Sequence, residues 1–506
     1  MDNRSNSKRV AKNTLFLFLR MLVVMCVGLY TSRVVLNTLG VEDYGVYNVV
    51  GSVVVLFSFL QAALTNATYR FLAYDMGKGD MSALGRTFSM SVNAHWILAL
   101  LVLLLCETFG LWFLNNKLVF PDVRLEAANV AFQFSVLGFC ASIVKTPYNS
   151  AIIAHERMNF FAYTSVLEAV LKLAVVYVLW ISPWDKLEIY ALLLAVVSLL
   201  LLAWYWLHCK HNFQECTYRA CWDAPMLKRM LGYSGWSLVV NMADVGIAQS
   251  VIFFFNLFFG VVANAALGIA NQVNTQLCQL LASFTQAYTP QIIKSYARGD
   301  RGYFLNLIYS TSKLSYFLLL AVSVPLFLNM DFILKLWLGV VPDGTGTFVW
   351  LVVLYSLVDA FSAPLWTAVH ATGNLRTHQL LMSGIKLLNI PFAYVLLKMG
   401  YGAWTALALK AGLNMVCALV RPVYMKRLIH LPLWEYSKSV FVPMMAVTAF
   451  AIPLPLFLGG LYPDGWLRLF LTSSVFIVLY GICVLWIGLS KKERDMLYGM
   501  LKKKKS

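Results

Sequence analysis

Arg20, Arg33, Arg70, Lys145, Glu168, Lys172 and Asp244 all stand inside long apolar runs of this 506-residue sequence. A charge at span depth costs about 2.5–3.5 kcal/mol even on the mild insertion scale, so each needs a partner, a wet cavity or a route to the interface. Arginine matches phosphate oxygens in bidentate fashion, and lysine adds a point charge. A carboxylate in such a setting pairs with a base or carries a proton or sodium ion. The basic members therefore suit an anionic cargo, and the acids suit charge compensation, gating or coupling.

Position sorts these residues. Arg20 lies seven residues into the first apolar run, about 10 Å deep at 1.5 Å per residue, and is expected to face a cavity. Arg33 follows thirteen residues later, which at about 100° per residue places it on another face. It either joins the anion contacts or pins the following corner through Glu42 or Asp43. Arg70 closes the second run, as a snorkelling anchor or a further phosphate contact. Lys145 precedes Thr146-Pro147, where proline frees a carbonyl and suits a gate. Glu168 and Lys172 stand at i, i+4 in the favourable order and can neutralise each other. Asp244 has no adjacent base. It pairs with a cation of the first half, carries H⁺ or Na⁺, or bonds to Asn241.

A second polar feature is a stripe of amides. Gln272, Gln276, Gln279 and Gln286 follow helical spacing and form one wet face. Amides bind sugar hydroxyls and phosphate oxygens without fixed charge, and they also join helices. Cys209, Cys216 and Cys221 with His208 and His211 match no usual zinc spacing, so no metal ligands are assigned. No cofactor is expected beyond a coupled H⁺ or Na⁺.

The elements that must hold these residues are membrane helices. The chain is 60% hydrophobic and 12% charged, which fits an all-α polytopic membrane protein. About fourteen runs meet the requirement of about 20 mainly apolar residues. The pair at 440–459 and 467–488 is the weakest, because Pro443, Pro453 and Pro455 interrupt it. The net charge of +17 gathers in alternate loops and in the tail LKKKKS. That asymmetry places both termini in the cytoplasm and assigns the charge to topology and anionic lipid, not to nucleic acid. The other loops hold few cations, Arg124 among them, and are too short for a soluble domain.

The chain also repeats. A shift of 220 residues lays 40–80 on 260–300, with Gly40 on Gly260 and Asp80 on Asp300. A shift of 217 lays Pro147 on Pro364. Spans 1–6 fall on spans 7–12 in the same orientation, a parallel repeat. The expected plan is an N-lobe over 1–210, a cytoplasmic loop over 211–231, a C-lobe over 232–430, and two further helices with the basic tail over 431–506. Transporters built this way bind substrate near mid-membrane where the repeats meet.

The stretches SRVVLNTLGVEDYGVYNVV (32–50), YSGW (233–236), FGVVANAALGIANQV (259–273), AYTPQIIKSYARGD (287–300), ILKLWLGVVP (333–342) and HATGNLRTHQ (370–379) carry a resemblance. The chain resembles the oligosaccharide flippase family, the Wzx-type exporters of O-antigen and capsule repeat units, within the multidrug/oligosaccharidyl-lipid/polysaccharide (MOP) exporter superfamily. The resemblance implies alternating access and transfer of an undecaprenyl-diphosphate-linked oligosaccharide between leaflets of a bacterial inner membrane. It also implies other polysaccharide-assembly proteins as partners. Leu267 departs from the pattern, which expects arginine there, so no phosphate contact follows from that position. A cation-exporting multidrug (MATE-type) antiporter on the same fold is the main alternative. A glycan polymerase or ligase fits less well, since the outer loops hold no His paired with a carboxylate.

Overall fold

The computed structural model describes residues 3–78, 80–155, 157–219, 221–372, 376–491 and 493–495; the side chains of 3–22 and of scattered positions that include Gln286 lie outside that description. Among the described residues every regular element is helical. Twelve helices are long and apolar enough to cross a membrane. Two of them bend sharply, at Gly40 (φ 82°, ψ 170°) and Gly260 (φ 77°, ψ −168°). Counting each bent helix as two gives the fourteen passages expected from hydropathy.

The passages are α1 (3–39), α2 (41–78), α3 (Met81–Lys117), α4 (Asp122–Ala154), α5 (Met158–Ile181), α6 (Lys186–Asn212) and α7 (224–259). They continue with α8 (261–297), α9 (Arg301–Leu328), α10 (Thr345–Thr372), α11 (Arg376–Lys398), α12 (Trp404–Leu428), α13 (Leu433–Leu461) and α14 (Trp466–Gly488). α13 carries the three prolines as local irregularities and still spans. The chain is a multi-pass membrane protein.

The repeat has a backbone basis. Gly40 and Gly260 occupy nearly the same region, one essentially reserved for glycine, so each corner needs glycine there. Asp80 and Asp300 do the same job as well. Asp80 accepts from the Ala83 amide at 3.0 Å and Asp300 from the Tyr303 amide at 3.1 Å, capping α3 and α9. Pro147 and Pro364 both lie inside helices, α4 and α10.

Two compact units emerge: Met1–Gly268 with Ala393–Ala403, and Ile269–Phe392 with Trp404–Ser506. In the first, Val46, Val49, Val50 and Val53 line one face of α2 and join Ala127, Ala128 and Ala131 of α4 in the core. The small alanines let the helices approach closely. This unit also holds both corners in contact. A Cβ on Gly45 would lie 2.0 Å from the Val261 carbonyl oxygen, and one on Gly268 would lie 2.7 Å from the Asn48 side chain. Residues 48 and 268 are equivalent under the 220-residue shift, and a residue touching its own counterpart is what local two-fold symmetry produces. In the second unit, Phe317, Leu320 and Val324 of α9 pack in a core with Phe361 and Leu365 of α10 and Phe476 of α14.

Candidate functional site

The first unit contains a cavity of about 390 Å³ between α2 and α7. Ser58, Gln61, Thr65 and Asn66 supply one wall; Asn241 and Asp244 supply the other. Gln61 and Thr65 are one turn apart, so α2 turns a polar stripe inward while Val46, Val50 and Val53 bury the apolar one. Asp244, assigned from sequence to coupling, thus lies beside hydroxyls and amides.

Gln61 links this cavity to α4. Its Nε2 donates to the Thr146 hydroxyl at 3.1 Å and to the Ser142 carbonyl at 3.3 Å. Thr146 donates to the same carbonyl at 3.1 Å. The helix continues through Pro147, which has no N–H to give. The side chains of Gln61 and Thr146 add hydrogen bonds at the turn where the ladder is weakest.

Lys145 stands on that turn. Its ammonium lies 5.5 Å from the centroid of the Tyr205 ring of α6, a cation–π arrangement. Electrostatically it feels Glu168 and Lys172 of α5. Lys172 donates to Glu168 at 2.7 Å, the i, i+4 pair expected from the spacing. The structure therefore brings together four sequence candidates, Lys145, Pro147, Glu168 and Lys172. Gln61, which ties them to the Asp244 cavity, was not among the candidates. Its signal was present: an amide one turn from Thr65 within an apolar run.

The remaining candidates divide. Arg20 lies in α1, but its side chain is outside the described residues, as are those of Gln286 and of the basic residues before Arg20. The lysine tail is outside them too. Arg33 and Arg70 are exposed, and α2 runs on to residue 78, so Arg70 is two turns inside the helix rather than at its end. Asp43, one of the partners considered for Arg33, is bonded to Arg124, which also binds Asp185 at 2.5 Å. Arg124 thus pins the corner to α4 and to the N-cap of α6, a role its position in a loop did not reveal. Gln272 and Gln279 each have partners, and Gln276 Oε1 is buried without a protein donor.

Among the described residues no three of His, Cys, Asp and Glu gather as metal ligands. The cysteine–histidine segment is occupied otherwise. Cys209 donates to the Tyr148 carbonyl at 3.5 Å, His208 stacks on Phe160, and His155 stacks on Phe213 while bonding Glu215.

The fold is that of solved transporters described as MOP-superfamily members. A solved lipid II flippase MurJ, in an inward closed conformation, matches with a TM-score of 0.69 at 12% identity, over 93% of this chain and 97% of that one. A multidrug resistance MATE family transporter of the MOP superfamily, in an inward-facing conformation, matches with a TM-score of 0.68 at 16% identity, over 82% of this chain and 98% of that one. The uncharacterized membrane protein EpsK of Bacillus subtilis (strain 168) is 19% identical over 502 residues, 96% of each chain. No family model matches the sequence.

Proposed function

We propose that the protein is a flippase, not an enzyme, carrying an undecaprenyl-diphosphate-linked oligosaccharide from the inner to the outer leaflet of a bacterial inner membrane by alternating access, with both termini cytoplasmic. The observation that carries this reading is Lys145. It is a cation at span depth, held over Tyr205, and among the described residues the carboxylate whose field reaches it, Glu168, already binds Lys172. One positive charge is left over, and a diphosphate satisfies it. Arg20, Arg70 and Arg33 are the further proposed diphosphate contacts, and the α8 amides are proposed to receive sugar. Asp244 is proposed to couple transport to H⁺ or Na⁺, with Gln61 and Pro147 passing the change to Lys145. The lipid II flippase among the solved structures supports a lipid-linked cargo. Partnership with other polysaccharide-assembly proteins follows from the same reading.

The second reading, export of organic cations, is favoured by one observation: the cavity around Asp244 is lined by hydroxyls, amides and a carboxylate. Deletion of the gene separates the two. Flippase activity predicts loss of surface polysaccharide and accumulation of the lipid-linked unit in the cytoplasmic leaflet. Normal polysaccharide together with heightened drug sensitivity refutes it in favour of the antiporter.

A further inference from the structure

The segment between α6 and α7 is tied down at both ends and in the middle. At its start Glu215 bonds to His155, the cap of α4, while Phe213 stacks on the same ring with centroids 4.0 Å apart. The segment then crosses the first half of α3, with contacts on successive turns. The Arg219 amide donates to the Ser89 hydroxyl at 3.1 Å, the Tyr218 hydroxyl to Asn93 Oδ1 at 2.8 Å, and Asn93 Nδ2 to the Cys221 carbonyl at 2.8 Å. Last, the Asp223 amide reaches the Met90 sulfur at 3.2 Å as α7 begins. A loop fixed this way can build a surface site.

A groove of about 650 Å³ lies at the crossing, lined by Asn93, Trp96, Ile97, Tyr218, Cys221 and Trp222. Trp96 and Trp222 are 58% and 64% exposed, so their rings meet the surroundings rather than the core. Aromatic residues near the end of a spanning helix sit where the membrane meets water, because one part of each ring system is apolar and the other polar. Two exposed arginines stand at the same crossing. Arg219 follows Tyr218 in the chain, and the Arg86 carbonyl accepts from the Cys221 thiol at 4.0 Å. Among the described residues neither forms an ion pair. The acids of the segment are engaged elsewhere, Glu215 with His155 and Asp223 with the Met226 amide at 2.9 Å. An aromatic wall beside two uncompensated cations suits an amphiphile with a negative head.

We propose that this groove docks an anionic phospholipid of the surrounding bilayer, with Arg86 and Arg219 on its phosphate and the upper part of an acyl chain along Trp96, Ile97 and Trp222. Guanidinium groups match phosphate oxygens in bidentate fashion, and cations at the membrane surface favour anionic lipid. The site serves the bilayer and not the cargo, so it holds whichever substrate the protein carries.

The test uses the purified full-length protein in phosphatidylcholine nanodiscs that contain a trace of a photoactivatable lipid. Two probes carry the same diazirine acyl chain, one on phosphatidylglycerol and one on phosphatidylcholine. After illumination, peptide mass spectrometry is expected to place the phosphatidylglycerol label on the peptides that hold Trp96 and Trp222. The phosphatidylcholine probe should label them about tenfold less, the scale of charge-assisted contacts at a membrane surface. Arg86→Gln/Arg219→Gln should lower the phosphatidylglycerol labelling by about tenfold as well. Lys228→Gln/Arg229→Gln removes as much exposed charge at the start of α7 and should leave it intact. Label found mainly outside the groove, or equal labelling by the two probes, overturns the site in the wild type itself, whether or not a variant folds. Unchanged labelling in Arg86→Gln/Arg219→Gln overturns it, and so do equal losses in the two double variants, which would reduce it to general surface charge.

Discussion

The two units each assemble a charged cluster inside apolar helices, and the clusters are built differently. In the first, Glu168 and Lys172 come from one helix, one turn apart, and bond at 2.7 Å before Lys145 joins them. In the second, Asp359, Lys386 and Lys410 come from three helices, and among the described residues the acid forms no ion pair with either base. Charges placed by local spacing compensate one another. A lysine elsewhere in the second unit shows what compensation looks like there. Buried Lys313 binds Glu493 at 2.8 Å and the Gly488 carbonyl at 3.2 Å. That lysine anchors the segment after α14, where Ser490 and Glu493 form a reciprocal cap.

The contrast is open to attack at four points. The largest effect is expected from Lys410→Glu. It puts a carboxylate where an ammonium lies 5.1 Å from the centroid of the Tyr355 ring, and transport of a lipid-linked oligosaccharide into proteoliposomes should fall by about a hundredfold. A variant that transports normally would place the second cluster among the compensated ones.

Next come the corners, which the two halves share. Gly40→Ala and Gly260→Ala both force a side chain into a glycine-only region, and each should cost about 1–3 kcal/mol. The check is the midpoint of thermal unfolding in detergent. Clearly unequal costs would break the equivalence of the repeat, and with it the meaning of a difference between clusters.

A smaller effect is expected at the first cluster. Glu168→Gln removes the one acid between two lysines and should destabilise by about 0.2–1 kcal/mol. Glu168→Gln/Lys172→Gln should recover much of that loss, because the stranded cation is gone. No recovery would mean the pair does not compensate.

The smallest effect concerns pH. Burial pushes the Glu493 carboxyl up, but hydrogen bonds from Lys313, Ser310 and the Ser490 amide outweigh it and hold the carboxyl below its ordinary value of 4.5. With its folded value lowered, the group adds stability above pH 4.5 and loses it as the pH falls through the folded value. Glu493→Gln should therefore flatten the acid limb of a stability–pH curve. An unchanged acid limb would remove Lys313 as the compensated reference.

Much of this was legible in the residues themselves. Apolar runs of spanning length come directly from composition, since no other environment tolerates them, and the fourteen passages follow. The repeat was legible because glycine at 40 and 260 and aspartate at 80 and 300 satisfy backbone needs, positive φ and helix capping, that the local chain imposes. The Glu168–Lys172 pair was legible because helical spacing alone brings the two side chains together. Tertiary structure decided the rest. Arg124 was one loop cation among several until folding put it between Asp43 and Asp185. Arg421, near the end of its apolar run, lies inside α12 and is buried. Gln61 gained its meaning from Thr146, 85 positions away. Spacing along one helix can be counted from the sequence. Which faces of different helices meet depends on how every apolar side chain packs at once, and that is settled only when the chain folds.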